Sequence, residues 1–292
     1  MNTSPSTSKY KVLFLASMYP SRLHPVKGIF IKRHAEAVAK FCDVSVLYVI
    51  EDPYLKNKTY EVDYLVENGV HTLIVYHKKI KKRPIVHRIQ KNMVYLTASR
   101  IGFNIIKEKV GKPDIVHVNV IKRTGKIALM LKFIYKIPFL ITEHSSSYLP
   151  ACGKYKKTQI PQKFFTNLII KNAEAVITVS NALKDAMLSL GLKNQYFVVP
   201  NVVEVNTISF VTRLNTNKKK IFHISLMVDK IKNITGILKA LYNIIHNQKR
   251  DDFELHLIGE GNDSEKIKNV AKQLNLYNSY VFFHGIKPPE EV

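Results

Sequence analysis

Residues 11–50 read KVLFLASMYPSRLHPVKGIFIKRHAEAVAKFCDVSVLYVI. Lys11–Ser17 is a short apolar run rich in strand formers, and Val44–Ile50 is a second. Between them, Ile29–Phe41 reads as a helix, so the opening is strand, helix, strand. Working outward, Val70–Tyr76 (VHTLIVY) is another strand, and Ile85–Val110 has helical spacing with basic residues on one side until Gly111 and Pro113 stop it. Ile115–Val118 then reads as a buried strand, Thr124–Tyr135 as a helix, Pro138–Thr142 as a strand, Phe164–Asn172 as a helix and Ala175–Val179 as a strand. Ser180 suits the N-cap of a helix over Ala182–Leu190, Gly191 ends it, and Tyr196–Val199 closes the series. Alternation of this kind predicts an α/β fold with a parallel sheet wound on both faces by helices.

The rhythm breaks over Pro200–Asn217, which is polar and turn-rich, and a second α/β series follows. Ile221–Leu226, Phe253–Ile258 and Tyr280–His284 read as strands, and Thr235–His246 and Ser264–Leu274 as helices. The expected organisation is a disordered N-terminus over 1–9, a Rossmann-like domain over 10–200, an interdomain linker over 201–217, and the first half of a second doubly wound domain over 218–292.

Composition narrows the chemistry. The 292 residues carry 45 Lys plus Arg against 22 Asp plus Glu, a net charge of +23. Such an excess favours a polyanionic partner: nucleic acid, an anionic membrane face or a phosphorylated substrate. The densest cluster is Lys78, Lys79, Lys81, Lys82, Arg83 and Arg88, followed by Lys91. A solvated lysine-rich surface is the plain alternative. Nucleic-acid readers interleave aromatics with their basic residues or carry a known module, and neither is present here. The longest apolar run near the start, Val12–Ala16, falls short of a signal-peptide core or a spanning helix, which places the chain in the cytosol. Cys42 and Cys152 read as reduced thiols, and the 11 histidines show no paired metal-ligand spacing.

There is no HExxH and no GxSxG, and Gly259 and Gly261 lack the third glycine of a dinucleotide fingerprint, with Ser264 in its place. The remaining signals lie in loops at the carboxyl ends of the expected strands, where open α/β sheets bind ligands. Tyr19–His34 delivers Gly28 just before a helix, where a glycine lets backbone N–H groups approach an anion, or serves only as a turn. Thr142, Glu143, His144 and Ser145 form a polar cluster where a strand ends. Lys230 and Lys232 precede a helix expected from Ile234 and would suit a diphosphate, with solvated lysines the ordinary alternative.

In this order and spacing, YPSRLHPVKGIFIKRHAEAVAKFCDVSVLYV (19–49), TEHSSSY (142–148), AEAVITVSNAL (173–183), VPNVV (199–203), LIGEGND (257–263) and FFHGIKPPEEV (282–292) resemble the glycosyltransferase family 4 proteins of bacterial polysaccharide synthesis. The resemblance implies the GT-B fold: two Rossmann-like domains, acceptor recognition mainly in the first, the sugar nucleotide mainly in the second, and here the second incomplete. It further implies transfer from a nucleotide-sugar donor to a cell-envelope or lipid-linked acceptor, with retention of anomeric configuration and without metal or other cofactor. By resemblance, Gly28 lies near the donor phosphates and the acceptor, and His144 near the transferred sugar. Ser180 and Asn201 line the cleft, Lys232 holds the donor diphosphate, and Gly259, Gly261 and Gly285 pass the nucleotide. Lys230 stands where relatives tend to carry an arginine, and a lysine cannot make the bidentate contact an arginine makes.

The family's pair of glutamates seven residues apart has no counterpart after Gly285, since Glu290 and Glu291 are adjacent. The chain as given is therefore expected not to turn over a sugar nucleotide, and its second unit to be the less stable one. The basic cluster, with Ile85, Ile89 and Met93 on the following helix, leads to the expectation of a peripheral protein on the inner face of the membrane. Two other readings stand beside this one: a GT-B sugar-nucleotide epimerase, which needs no acceptor, and a non-enzymatic remnant that binds polyanions or the membrane surface.

Overall fold

The computed structural model describes residues 10–80, 87–203, 218–288 and 291. The expected disordered start (1–9), most of the expected linker (204–217), and Lys81, Lys82, Arg83, Ile85 and Glu290 lie outside the described residues. The chain divides into two compact units, Met1–Thr207 and Ile208–Val292.

The first unit runs β1 (Lys11–Ala16), α1 (Ile29–Ala39), β2 (Asp43–Asp52), β3 (Tyr60–Glu67), β4 (Val70–Lys78), α2 (His87–Lys109), β5 (Ile115–Asn119), α3 (Arg123–Tyr135), β6 (Phe139–Glu143), α4 (Ile160–Asn172), β7 (Val176–Thr178), α5 (Asn181–Ser189) and β8 (Tyr196–Val198). Its eight strands lie in the order β3-β4-β2-β1-β5-β6-β7-β8. Every neighbouring pair is parallel except β3 with β4. The chain works outward from β1 through β2 to β4, then returns to lay β5 on the other side of β1. That reversal opens a crevice outside the carboxyl ends of β1 and β5, the position where such sheets take ligands.

Alternation along the strands sorts the core onto two faces. Phe14, Val44, Val46, Tyr48, Ile74 and Tyr76 pack with Ile31 and Ala35 of α1. Leu13, Leu15, Leu47, Val49, Leu73 and Val75 pack with Tyr95, Ala98, Phe103 and Ile106 of α2 and with Ile127, Ala128 and Leu131 of α3. Each fully buried side chain of this size contributes about 1.5–3 kcal/mol of transfer free energy, and buried polar residues such as His117, Asn119, Thr142 and Glu143 gather towards the carboxyl ends of β5 and β6.

The antiparallel strand β3 has no counterpart in the expected element order. It is mostly exposed, and Glu61, Asp63 and Glu67 along it protect the sheet edge from pairing with another chain. Its turn is Asn68-Gly69, both at positive φ (49° and 75°), the hairpin signature. Helix α4 starts at Ile160, one turn before the expected Phe164, with Pro161 in its first turn.

The second unit runs β9 (Lys219–Ile224), α6 (Asp229–Lys232), α7 (Ile234–Asn247), β10 (Phe253–Ile258), α8 (Ser264–Gln273) and β11 (Val281–Phe283), with the parallel order β11-β10-β9. Leu238, Leu241, Ile267 and Ala271 of α7 and α8 cover Phe253, Leu255, Leu257 and Val281 on one face. On the other, Phe222, His256 and Phe282 stand in register and stack at centroid separations of 5.0 and 5.2 Å. Lys230 and Lys232 precede a helix that starts at Ile234, as expected. They lie on the single turn α6, separated from α7 by Asn233 at φ 51°, because Asp229 binds both the N–H and the hydroxyl of Thr235 and folds the segment back.

Candidate functional site

In the first unit the crevice is built by three loops. The loop after β1 reaches Gly28, which caps α1 at φ 78°. A Cβ there would sit 2.6 Å from the Met18 carbonyl oxygen, so only glycine lets this loop fold back onto the end of β1. The loop after β5 turns at Val120, whose N–H donates to the Thr142 carbonyl at 2.9 Å and whose own carbonyl accepts the Ser17 hydroxyl at 2.6 Å. The loop after β6 carries His144.

Glu143, the last residue of β6, is wholly buried. Its carboxylate accepts the N–H groups of Ile121 (2.9 Å), His144 (2.9 Å) and Ser145 (2.8 Å), tying the β5 and β6 loops together. Burial raises its pKa to about 7, and the backbone donors oppose that rise.

His144 packs against Phe30 of α1 at a centroid separation of 4.5 Å. Burial, with a smaller push from His34, lowers its pKa to about 4. The Asn201 side chain, within hydrogen-bonding reach, pulls weakly in the other direction, and the ring nitrogens have no second partner among the described residues. Behind it, His34 lies edge-on to His117 at 5.2 Å, and His117 shares a hydrogen bond with the Thr142 hydroxyl at 2.6 Å. Both are held below the ordinary histidine range by burial, His117 strongly. The result is a neutral, half-buried imidazole beside the N-terminus of α1, with Asn201 as its polar neighbour.

Gly28, His144 and Asn201 are thus gathered in one place. Ser180 has a structural task as well: its hydroxyl accepts the Leu183 N–H at 3.3 Å as the cap of α5, and its O–H remains a donor. In the second unit, Gly259, Gly261 and Gly285 cluster at the carboxyl edge. The Gly259 N–H donates to the Gly285 carbonyl at 2.7 Å. A Cβ on Gly259 (φ 116°) would fall on the Ser225 carbonyl oxygen, and one on Gly261 on that of Met227. Lys230 and Lys232 are both exposed on α6. Lys232 is close enough to His223 of β9 to depress its pKa, which is otherwise lowered mainly by burial.

The sequence reading missed the roles of Glu143, His34 and His117. A carboxylate ending an apolar strand just before the histidine was the visible signal for the first; His34 and His117 lie far apart in sequence, and only the adjacency of α1 and β5 joins them. Among the described residues no group of three or more His, Cys, Asp or Glu is arranged to hold a metal ion.

The sequence pattern of Glycosyltransferase Family 4 matches residues 30–207. No curated protein sequence matches the chain. Among solved structures, an E. coli trehalose-6-phosphate protein bound with UDP-2-fluoro glucose aligns at TM-score 0.65 with 8% identity, over 96% of this chain and 74% of that one. The lipopolysaccharide outer core galactosyltransferase WaaB aligns at TM-score 0.55 with 16% identity, over 95% and 68%. A Listeria monocytogenes structure described as a UDP-N-acetylglucosamine 2-epimerase aligns at TM-score 0.55 with 15% identity, over 97% and 71%. At such identities the likeness establishes the fold alone, and the equal scores of transferase and epimerase show that the fold does not separate these two activities.

Proposed function

The chain belongs to glycosyltransferase family 4 and has the GT-B fold, and from that premise we propose that it moves a sugar from a nucleotide-sugar donor to a cell-envelope or lipid-linked glycan acceptor, with retention of configuration. The observation that carries this reading is His144: half-buried, neutral, with Asn201 as its polar neighbour, and set beside the N-terminus of α1 at the carboxyl edge of the sheet. A neutral imidazole there accepts or donates a hydrogen bond to a sugar hydroxyl without bringing a charge that would compete for the donor's phosphates. In the second unit, the glycines let the loops pack backbone to backbone at the carboxyl edge of the sheet, where the nucleotide is placed on this reading, and Lys230 and Lys232 supply cations for the departing diphosphate.

On the same reading the first unit rests on the inner face of the membrane. Ile89 and Met93 of α2 are 65% and 60% exposed, and Lys78, Lys79 and Lys91 stand near the start of that helix. Each such lysine at an anionic surface contributes about 1 kcal/mol. No helix among the described residues is long and apolar enough to cross a membrane.

The test is a labelled-donor assay with UDP-, ADP- and GDP-sugars, with and without a membrane lipid extract. Label appearing in lipid only when extract is present supports transfer; conversion of the free sugar nucleotide without acceptor replaces it by epimerisation. Failure to bind any of the nucleotides removes both. Co-sedimentation with vesicles tests the membrane part, and equal binding to neutral and anionic vesicles at low salt overturns it.

A further inference from the structure

A cavity of about 680 Å³ lies on the other side of the β5 loop, enclosed by α2, α3 and α4. It is lined by Lys91, Lys122, Arg123 and Lys126, together with Tyr95 and Phe165. Lys122, Arg123 and Lys126 all fall in the first turn of α3 or just before it. The N-terminus of a helix carries partial positive charge, so acids are favoured there and cations are not. Here the first turn holds no acid, and no side chain caps it. Arg123 and Lys126, three residues apart, repel each other as well.

Neither Arg123 nor Lys126 forms an ion pair among the described residues. Each instead lies over an aromatic ring of the cavity wall: Arg123 at 5.4 Å from the Tyr95 centroid, Lys126 at 4.5 Å from that of Phe165. Lys91 is balanced by Glu51 at 3.5 Å. Lys122 has Glu143 nearby, but that carboxylate already accepts three backbone N–H groups.

The segment is also held under strain. Val120 sits at φ 67°, a conformation costly for a β-branched residue, and it is fixed by the Ser17 hydroxyl on its carbonyl and by the Thr142 carbonyl on its N–H. A strained turn that presents three clustered cations at the positive end of a helix costs stability, which the two ring contacts and the hydrogen bonds to Val120 offset only in part. Such an arrangement is explained by an anion that all of them face.

We propose that this cavity binds a phosphate or diphosphate group carried by the acceptor. The inference rests on the glycosyltransferase reading and adds to it the chemical class of the acceptor. Continuity with His144 supports acceptor over donor: Ile121, which lines the cavity, and His144 both donate their N–H to Glu143, so the anion site and the imidazole are held on one frame within the first unit. The aromatic walls pin the cationic head groups, so little ordering is lost when the anion arrives.

The test is titration calorimetry on the full chain with inorganic pyrophosphate, geranyl diphosphate and UDP, comparing the parent with the Arg123→Gln/Lys126→Gln double variant. The expected result is a pyrophosphate dissociation constant raised tenfold or more in the variant, with UDP binding unchanged. Its thermal midpoint should stay close to the parent's, since relief of like charge at the helix N-terminus offsets the loss of the two ring contacts, whereas a merely structural role for the pair would lower it by several degrees. In the parent, tenfold tighter binding of geranyl diphosphate than of pyrophosphate assigns the group to a lipid-linked acceptor, and equal binding assigns it to a soluble phosphorylated one; both uphold the site. Unchanged pyrophosphate binding overturns the site while leaving glycosyl transfer standing. Parallel loss of pyrophosphate and UDP overturns the acceptor assignment, because the cavity then serves the donor.

Discussion

The buried Glu143 carboxylate accepts the backbone N–H of His144 at 2.9 Å, so a group whose proton affinity is raised by burial positions a neighbour whose proton affinity is lowered by it. The two have opposite consequences for stability. Glu143, raised to about 7, contributes stability that is fully present below its unfolded pKa near 4.5 and is lost as pH rises to about 7. His34, His117 and His144, all depressed, contribute stability present above 6.5 and lost as pH falls.

Glu143→Gln removes the first term and leaves the second. Chemical denaturation between pH 4.5 and 6.5 should therefore show the variant's stability rising more steeply with pH than the parent's. At pH 5 the variant should be less stable by about 1–3 kcal/mol, because an amide offers one acceptor oxygen where the carboxyl met three N–H donors. Parallel pH curves for the two proteins would show that Glu143 is ionised throughout.

His144 remains neutral down to about pH 4. If it contacts the sugar, the rate profile of the active enzyme should pass through pH 6.5 without an inflection, unlike that of an exposed histidine. His144→Ala should cut kcat/KM by roughly 100-fold or more, the range for a lost polar contact to the reacting group. The cost in stability should be modest, about 1–2 kcal/mol, since the contact with Phe30 and the interaction with Asn201 are lost. Near-parent kinetics for this variant would remove His144 from the site.

Gly28→Ala tests the geometry of the β1 loop. Alanine must either adopt φ near 78° or displace the Met18 carbonyl, and each costs about 1–3 kcal/mol. A drop in thermal midpoint of several degrees is expected, with loss of activity because α1 carries both Phe30 and His34. A variant as stable as the parent would mean that the loop folds otherwise.

The parallel core was legible because its strands are short continuous apolar runs. Lys11–Ser17 and Val44–Ile50 could hardly be anything else, and the helices between them carried clear stops at Gly111 and Gly191. Strand β3 was not legible by the same route, since YEVDYLVE at an exposed edge has no buried face of its own to read; the Asn68-Gly69 turn was the signal that could have found it. Gly28 and His144 were visible as loop residues at strand ends. The His34–His117 contact and the cation cluster of α3 were not. That contact depends on strand order, and the cations are indistinguishable in sequence from any lysine-rich surface. Ser180 was legible as a cap, and its hydroxyl accepts the Leu183 N–H as that reading requires.

The last prediction separates Lys230 from Lys232. Two positions apart on a helical turn, they project from opposite sides, so one phosphate cannot take both alike. Lys232, unlike Lys230, contributes to the lowered proton affinity of His223 near the carboxyl end of β9, so it is the lysine on the side of the sheet. Lys232→Ala should weaken nucleoside diphosphate binding by about 1–3 kcal/mol, or roughly 5- to 150-fold, while Lys230→Ala should weaken it less than about threefold. Both side chains are exposed, and both variants should keep the parent's stability within about 0.5 kcal/mol. Titration of UDP, ADP and GDP into each variant decides the matter. Equal losses would mean that α6 rearranges on binding so that both ammonium groups reach the phosphates, and an unchanged constant in the Lys232 variant would move the diphosphate elsewhere in the second unit.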